Sequence, residues 1–167
     1  IKLAVNKLER DIGFNKIDVV AGGETAGIPY SAWIAEAQSK PMLYVRKKPK
    51  GFGRNAQIEG TFTKGQQILL VEDLATDGGS KITFVDALRK AGGDVKDIFV
   101  IFYYGVFPGA EKSMKDMRVN LHYLANWNDV LIAAEKDKLF DNKTIEEVRR
   151  FLLDPIAWSK ANGGRSS

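Results

Sequence analysis

"ILLVEDLATDGGSK", Ile68 to Lys81, decides how this chain is read. Ile68, Leu69, Leu70 and Val71 form an unbroken apolar run. A strand with that pattern is buried on both faces, as in a parallel sheet covered by helices. Glu72 and Asp73 close the strand at its carboxyl end. Leu74, Ala75, Thr76, Asp77, Gly78, Gly79 and Ser80 then turn into a helix over Lys81–Ala91, with Phe84, Val85 and Leu88 on one face. Glycines permit a tight turn and let backbone N–H groups approach an anion, and a helix N-terminus adds partial positive charge. Two carboxylates would repel a phosphate placed there, but they can accept hydrogen bonds from sugar hydroxyls or stand near a cation. One ligand suits every part: a ribose 5-phosphate, with phosphate in the glycine loop and its 2- and 3-hydroxyls on the acids. On these residues alone an ordinary strand-to-helix turn with exposed acids stays open. The glycine spacing is neither the Walker pattern nor the dinucleotide fingerprint.

Working outward, apolar and turn residues predict an alternation of helices and strands. Ile1, Val5, Leu8 and Ile12 fall at helical spacing, with Gly13 as a stop. Ile17–Ala21 reads as a buried strand, followed by the loop "GGETAG", Gly22–Gly27. Pro29 suits the first turn of a helix to about Ser39. Met42–Lys47 is a second strand, Val95–Phe107 contains a fourth, and Arg118–Asn126 a fifth. Residues 128–138 and 144–154 read as helices, with Thr144 and Glu147 as a capping box and Pro155 beyond the end. Lys48–Gly60 has no clear period and contains Pro49, Gly51, Gly53 and Gly60. The pattern is that of an α/β domain with a mostly parallel sheet flanked by helices, over residues 1–167 as one unit. Ligands of such sheets sit beyond the carboxyl ends of the strands.

Composition narrows the chemistry. The 167 residues include no Cys and one His, His122. That excludes disulfides, thiolate nucleophiles and Cys-type zinc sites, and disfavours a His-based triad. It fits a cytoplasmic protein. No apolar run reaches about 18 residues, so no membrane span is expected. The net charge is +4, but Arg46, Lys47, Lys48, Lys50 and Arg54 crowd together. A local basic cluster expects a local polyanion: pyrophosphate, a nucleotide or nucleic acid. Only Phe52 interleaves with these charges, which gives single-strand stacking little support. His122, alternating with Leu121 and Tyr123, reads as a structural residue, and Trp127 and Trp158 as packing residues. Tyr103 and Tyr104 stand at a strand end where a base pocket could lie.

Three stretches together resemble a known family. "LLVEDLATDGGS" resembles the phosphoribosyl-diphosphate signature of type I phosphoribosyltransferases. "YVRKKPKGFG", Tyr44–Gly53, resembles the mobile catalytic loop of the orotate phosphoribosyltransferases, and "AGGETAGIP", Ala21–Pro29, their pyrophosphate loop. They occur in family order and at family-like spacing, and the likeness runs on through the C-terminal helices. The resemblance implies the type I phosphoribosyltransferase fold. It implies transfer of ribose 5-phosphate from phosphoribosyl diphosphate to orotate, with Mg²⁺ held mainly through the substrate and no direct protein ligand. It assigns Arg46, Lys47 and Lys50 to the diphosphate, with Lys50 the catalytic cation. Glu72, Asp73, Leu74, Ala75, Thr76, Asp77, Gly78, Gly79 and Ser80 would hold the ribose phosphate, with Asp73 also catalytic and Thr76 touching orotate. Glu24, Thr25, Ala26 and Gly27 would form the pyrophosphate loop, with backbone N–H groups in a non-proline cis or nest geometry. It also implies a homodimer with shared active sites, no nucleic acid partner and no membrane.

The chain departs from the family in places. Ala26 stands where many relatives carry Lys, and Phe52 where several have His. The Arg that some relatives use on orotate has no counterpart after the fourth strand, where Tyr103, Tyr104 and Gly105 stand. The family's N-terminal hood, which grips orotate, has no counterpart after Ile1. A native segment before Ile1 is therefore expected. Two other readings remain at this point: transfer to another base, and a sugar-phosphate sensor that binds nucleic acid through the basic loop.

Overall fold

The computed structural model describes residues 1–50, 56–76, 79–107 and 109–164. Among them run the strands β1 (Val19–Gly23), β2 (Met42–Val45), β3 (Ile58–Glu59), β4 (Gln67–Ala75), β5 (Asp94–Tyr103) and β6 (Asn120–Asn126). The helices are α1 (Lys2–Asp11), α2 (Gly27–Ala37), α3 (Gly79–Lys90), α4 (Ala110–Met117), α5 (Trp127–Lys136), α6 (Asn142–Leu153) and α7 (Pro155–Ala161). The strands form one sheet in the order β3-β2-β1-β4-β5-β6. Every neighbouring pair is parallel except β2 with β3.

The apolar run of β4 explains the layering. Ile68 and Leu70 pack with Phe84, Val85 and Leu88 of α3 and with Met114 and Met117 of α4. Leu69 and Val71 pack on the other face with Ala4 and Leu8 of α1 and Ile34 and Ala35 of α2. Side chains alternate across a strand, so four consecutive apolar residues need a helical layer on each side. From β1 the chain passes through α2 to β2 on one side. From β4 it passes through α3 to β5 on the other. Adjacent strands whose connections leave in opposite directions leave a crevice at their carboxyl ends. No helix among the described residues is long and apolar enough to cross a membrane.

Several boundaries differ from the sequence reading. β4 runs to Ala75, so Glu72 and Asp73 lie inside the strand and not at its end. Pairing with β5 carries it on: Glu72 opposes Val100, Leu74 opposes Phe102 and Ala75 opposes Tyr103. The capping box at Thr144 and Glu147 does not form. Asp141 caps α6 instead, its carboxylate accepting the Thr144 N–H at 2.7 Å. A carboxylate at the N-cap also meets the positive end of the helix dipole. Pro155 opens a further helix, α7, because its missing N–H costs nothing in a first turn. The unperiodic Lys48–Gly60 stretch contains β3, two residues antiparallel to Tyr44 and Val45. Two residues cannot show a period.

The structural reading of His122 agrees with its surroundings. Its Nε2 lies 2.9 Å from Asp97 Oδ1, and its Nδ1 3.7 Å from Asp11 Oδ2. The group joins α1 to β5 and β6. Hydrogen bonding from Lys7, 2.8 Å away, holds the Asp11 carboxyl at about 2, with Arg10 adding to it. The His122 hydrogen bond likewise lowers Asp97. A depressed carboxylate stabilises the fold fully above its unfolded value of about 3.9 and loses that contribution as pH falls through the folded value. Acid unfolding followed by circular dichroism should therefore show stability falling between about pH 4 and pH 2. Asp11→Asn should be less stable than the parent at pH 6 and converge with it near pH 2. Parallel curves over the whole range would remove Asp11 from the account.

Candidate active site

The loops after β1, β2 and β4 meet over the crevice. One cleft of about 360 Å³ is lined by Glu24, Thr25, Ala26, Lys47, Glu72, Asp73, Leu74, Thr76 and Lys81. A second, of about 530 Å³, is lined by Arg46, Lys48, Pro49 and Lys50, and shares Glu24 and Lys47 with the first. Residues from three separate stretches of sequence thus line two clefts that share Glu24 and Lys47. Asp77 and Gly78 lie outside the described residues, as do Phe52 and Arg54 of the basic stretch. Gly79 and Ser80 open α3.

The two acids of β4 are placed differently. Asp73 is half-buried and lines the first cleft. Glu72 is only 6% exposed, and its Oε2 pairs at 3.4 Å with Lys81 Nζ, itself 3% exposed. Burial pushes the Glu72 carboxyl up, and Lys81 opposes the shift. Its Oε1 has no hydrogen-bond partner among the described residues. That oxygen lies under the "GGETAG" loop. A methyl on Gly23 would fall 1.9 Å from it, and one on Gly27 2.8 Å from it and 2.4 Å from Val71 O. Only glycine lets this loop lie so close to β4.

Two carbonyls at the end of β4 are engaged. Leu74 O accepts from Lys81 Nζ, and Ala75 O accepts the Tyr104 N–H at 2.9 Å. Across the crevice, the Glu24–Thr25 peptide is cis, as the non-proline alternative for this loop has it. Thr25 and Ala26 are exposed, and Gly27 begins α2. Glu24 ties the loop to the basic segment: its Oε2 accepts the Lys47 N–H at 2.8 Å, and Oε1 lies 3.8 Å from Arg46.

Arg46 and Lys50 share a partner that sequence reasoning missed. Glu59 Oε1 accepts from Arg46 Nε at 3.2 Å and from Lys50 Nζ. Hydrogen bonding from Lys50, then Arg46, holds the Glu59 carboxyl below its usual value. Arg46 also donates to the Tyr44 hydroxyl at 3.0 Å. Nothing in the sequence marks Glu59, whose place depends on β3 pairing with β2. Lys81 was legible in principle. A lysine in the first turn opposes the helix dipole, and such a residue calls for an anionic partner.

Tyr103 and Tyr104 line neither of these clefts. Tyr103 packs on Tyr123 at 5.2 Å between ring centres. Tyr104 joins Phe102, Phe107 and Trp127. Trp127 also meets Phe151, which packs on Trp158 at 5.4 Å. Both tryptophans therefore pack.

No family model matches the chain. It is 54% identical over 161 residues to the orotate phosphoribosyltransferase of Rhizobium rhizogenes, an overlap of 96% of this chain and 69% of that protein. The crystal structure of orotate phosphoribosyltransferase from Aeropyrum pernix matches with a TM-score of 0.67 at 29% identity, covering 80% of this chain and 72% of that one. The Mycobacterium tuberculosis orotate phosphoribosyltransferase in complex with 5-phospho-alpha-D-ribosyl 1-diphosphate matches with a TM-score of 0.60 at 26% identity. That match covers 77% of this chain and 71% of the other.

Proposed function

The chain belongs to the orotate phosphoribosyltransferase family, pentosyltransferases of pyrimidine biosynthesis, and from that premise we propose how its residues carry the reaction. Ribose 5-phosphate passes from phosphoribosyl diphosphate to orotate, giving orotidine 5-phosphate and diphosphate. The observation that carries the assignment of roles is the meeting of Glu24, Lys47, Asp73 and Thr76 around one cleft, beside a second that shares Glu24 and Lys47 and is lined by Arg46 and Lys50.

The bond from C1 of the ribose to diphosphate breaks as an oxocarbenium-like centre develops. Negative charge gathers on the leaving group, and cations positioned there stabilise it in the transition state. Lys50 is the chief such cation, with Arg46 and Lys47 holding the diphosphate. Asp73 accepts a ribose hydroxyl as the ring flattens. Glu72 supports the same strand from beneath, buried with Lys81 under the loop after β1. Residues 76–80 take the 5-phosphate, and Thr76 meets the orotate edge. The backbone of Thr25, Ala26 and Gly27 faces the diphosphate.

Mg²⁺ is the proposed cofactor. Among the described residues, no group of three or more His, Asp or Glu side chains is arranged to hold a metal. A hard cation takes its oxygens from phosphates, water and one or two carboxylates. Asp73 fits as the carboxylate, through water, with the substrate supplying the rest. The chemistry the ion supplies when bound is neutralisation of charge on the diphosphate. A single domain, a homodimer with shared sites and a cytoplasmic location complete the proposal.

The test is turnover with phosphoribosyl diphosphate, Mg²⁺ and a panel of bases, in which orotate should be strongly preferred. Asp73→Asn should lower kcat/KM about tenfold to a hundredfold, because a hydrogen bond to a charged acceptor is worth roughly 1.5–3 kcal/mol. Unchanged kinetics in that variant would take Asp73 out of the ribose contact.

A further inference from the structure

Glu59 gathers two of the cations assigned to the diphosphate onto one carboxylate oxygen. Its Oε1 accepts from Arg46 Nε at 3.2 Å and pairs with Lys50 Nζ. The antiparallel register sets Glu59 opposite Tyr44, whose hydroxyl accepts from Arg46 Nη2 at 3.0 Å. A second acid, Glu24, stands 3.8 Å from Arg46 but is committed to the Lys47 N–H through its other oxygen. Lys47 is thereby held by its backbone, outside the Glu59 contact. The side chains of Arg46, Lys50 and Glu59 keep 27%, 34% and 28% of their surface exposed. A ligand in the adjoining cleft can reach them.

We propose that Glu59 is a positioning residue that competes with diphosphate for Arg46 and Lys50, and so sets how tightly substrate and product are held at that end. The inference rests on the reading above, in which those two cations meet the diphosphate. A diphosphate carries more charge and more acceptor oxygens than one carboxylate, so it can draw both cations away. Exposed ion pairs contribute little each, so the exchange is easily reversed. Glu59 keeps the two cations together and weakens product binding enough for release. An apolar residue there would remove the carboxylate they share and leave the diphosphate held longer.

The experiment is diphosphate binding by calorimetry, with steady-state kinetics, on the full chain and on Glu59→Gln. The amide keeps the shape and loses the charge. Diphosphate affinity should rise roughly threefold to tenfold, and KM for phosphoribosyl diphosphate should fall, without a rise in kcat. In a Lys50→Ala background the same change should bring a smaller gain, because one of the two released cations is gone. A merely structural Glu59 would weaken binding equally in both backgrounds. Unchanged or weaker diphosphate binding in Glu59→Gln, with Lys50→Ala impaired, overturns the competition alone. If Lys50→Ala binds diphosphate as tightly as the parent, the assignment of Lys50 fails and the competition falls with it.

Discussion

Lys50→Ala is expected to lower kcat by about two to three orders of magnitude. The ammonium acts on charge that develops only as the diphosphate leaves, so its loss should appear in kcat more than in KM. Lys50 is joined to the fold by its backbone N–H to Ala56 O, 3.2 Å, and by its ion pair with the half-exposed Glu59. Neither contact anchors the core, so the variant should melt close to the parent. A kcat within about threefold of the parent would sink the catalytic role. The same variant tests the dimer. Mixed with Asp73→Ala, it should regain about a quarter of parental activity if loop and acids come from different subunits, since roughly half the dimers then hold one intact site of two. No recovery after confirmed subunit exchange would place each site within one chain.

Glu72→Ala is expected to lower stability by roughly 3–5 kcal/mol, because it breaks a buried ion pair by removing one member. Glu72 and Lys81 are both almost fully buried, and Glu72 Oε2 lies 3.4 Å from Lys81 Nζ. The loss is a large part of the 5–15 kcal/mol that holds a domain folded. The crevice should suffer too, since Glu72 fills the space beneath Gly23 and Gly27. Adding Lys81→Met should recover much of the loss, because a pair replaced by apolar groups costs far less than a pair broken. Chemical denaturation of the parent, both single variants and the double variant measures this. Additive losses would show that the two residues do not act as a pair.

Much of this is legible in the sequence. Continuous apolar runs such as Ile68–Val71 need cover on both faces, and that requirement depends only on local chain geometry. Glycine pairs, a basic cluster and two adjacent acids are also local signals, and their order along the chain carried the family likeness. The cleft brings Glu24, Lys47, Asp73 and Thr76 together as that likeness implied. Trp127 and Trp158 stand near helix ends and read as packing residues, and their rings do pack, with Tyr104 and Phe151. The structural reading of His122, in a strand-like alternation, agrees with its contacts to Asp97 and Asp11.

What only the tertiary structure decided are the contacts between residues distant along the chain. The two acids of β4 look equivalent in sequence, yet Glu72 is buried with Lys81 while Asp73 is half-buried beside the cleft. The difference comes from the loop after β1 lying over Glu72, which no pattern near residue 72 encodes. Extension of β4 to Ala75 depends on pairing with β5. The role of Glu59 depends on a two-residue antiparallel strand that is too short to leave a period. Sequence periodicity reports which side of an element is buried. Which carboxylate meets which cation is settled by strand register and by how the glycine loop packs, and those are properties of the folded chain alone.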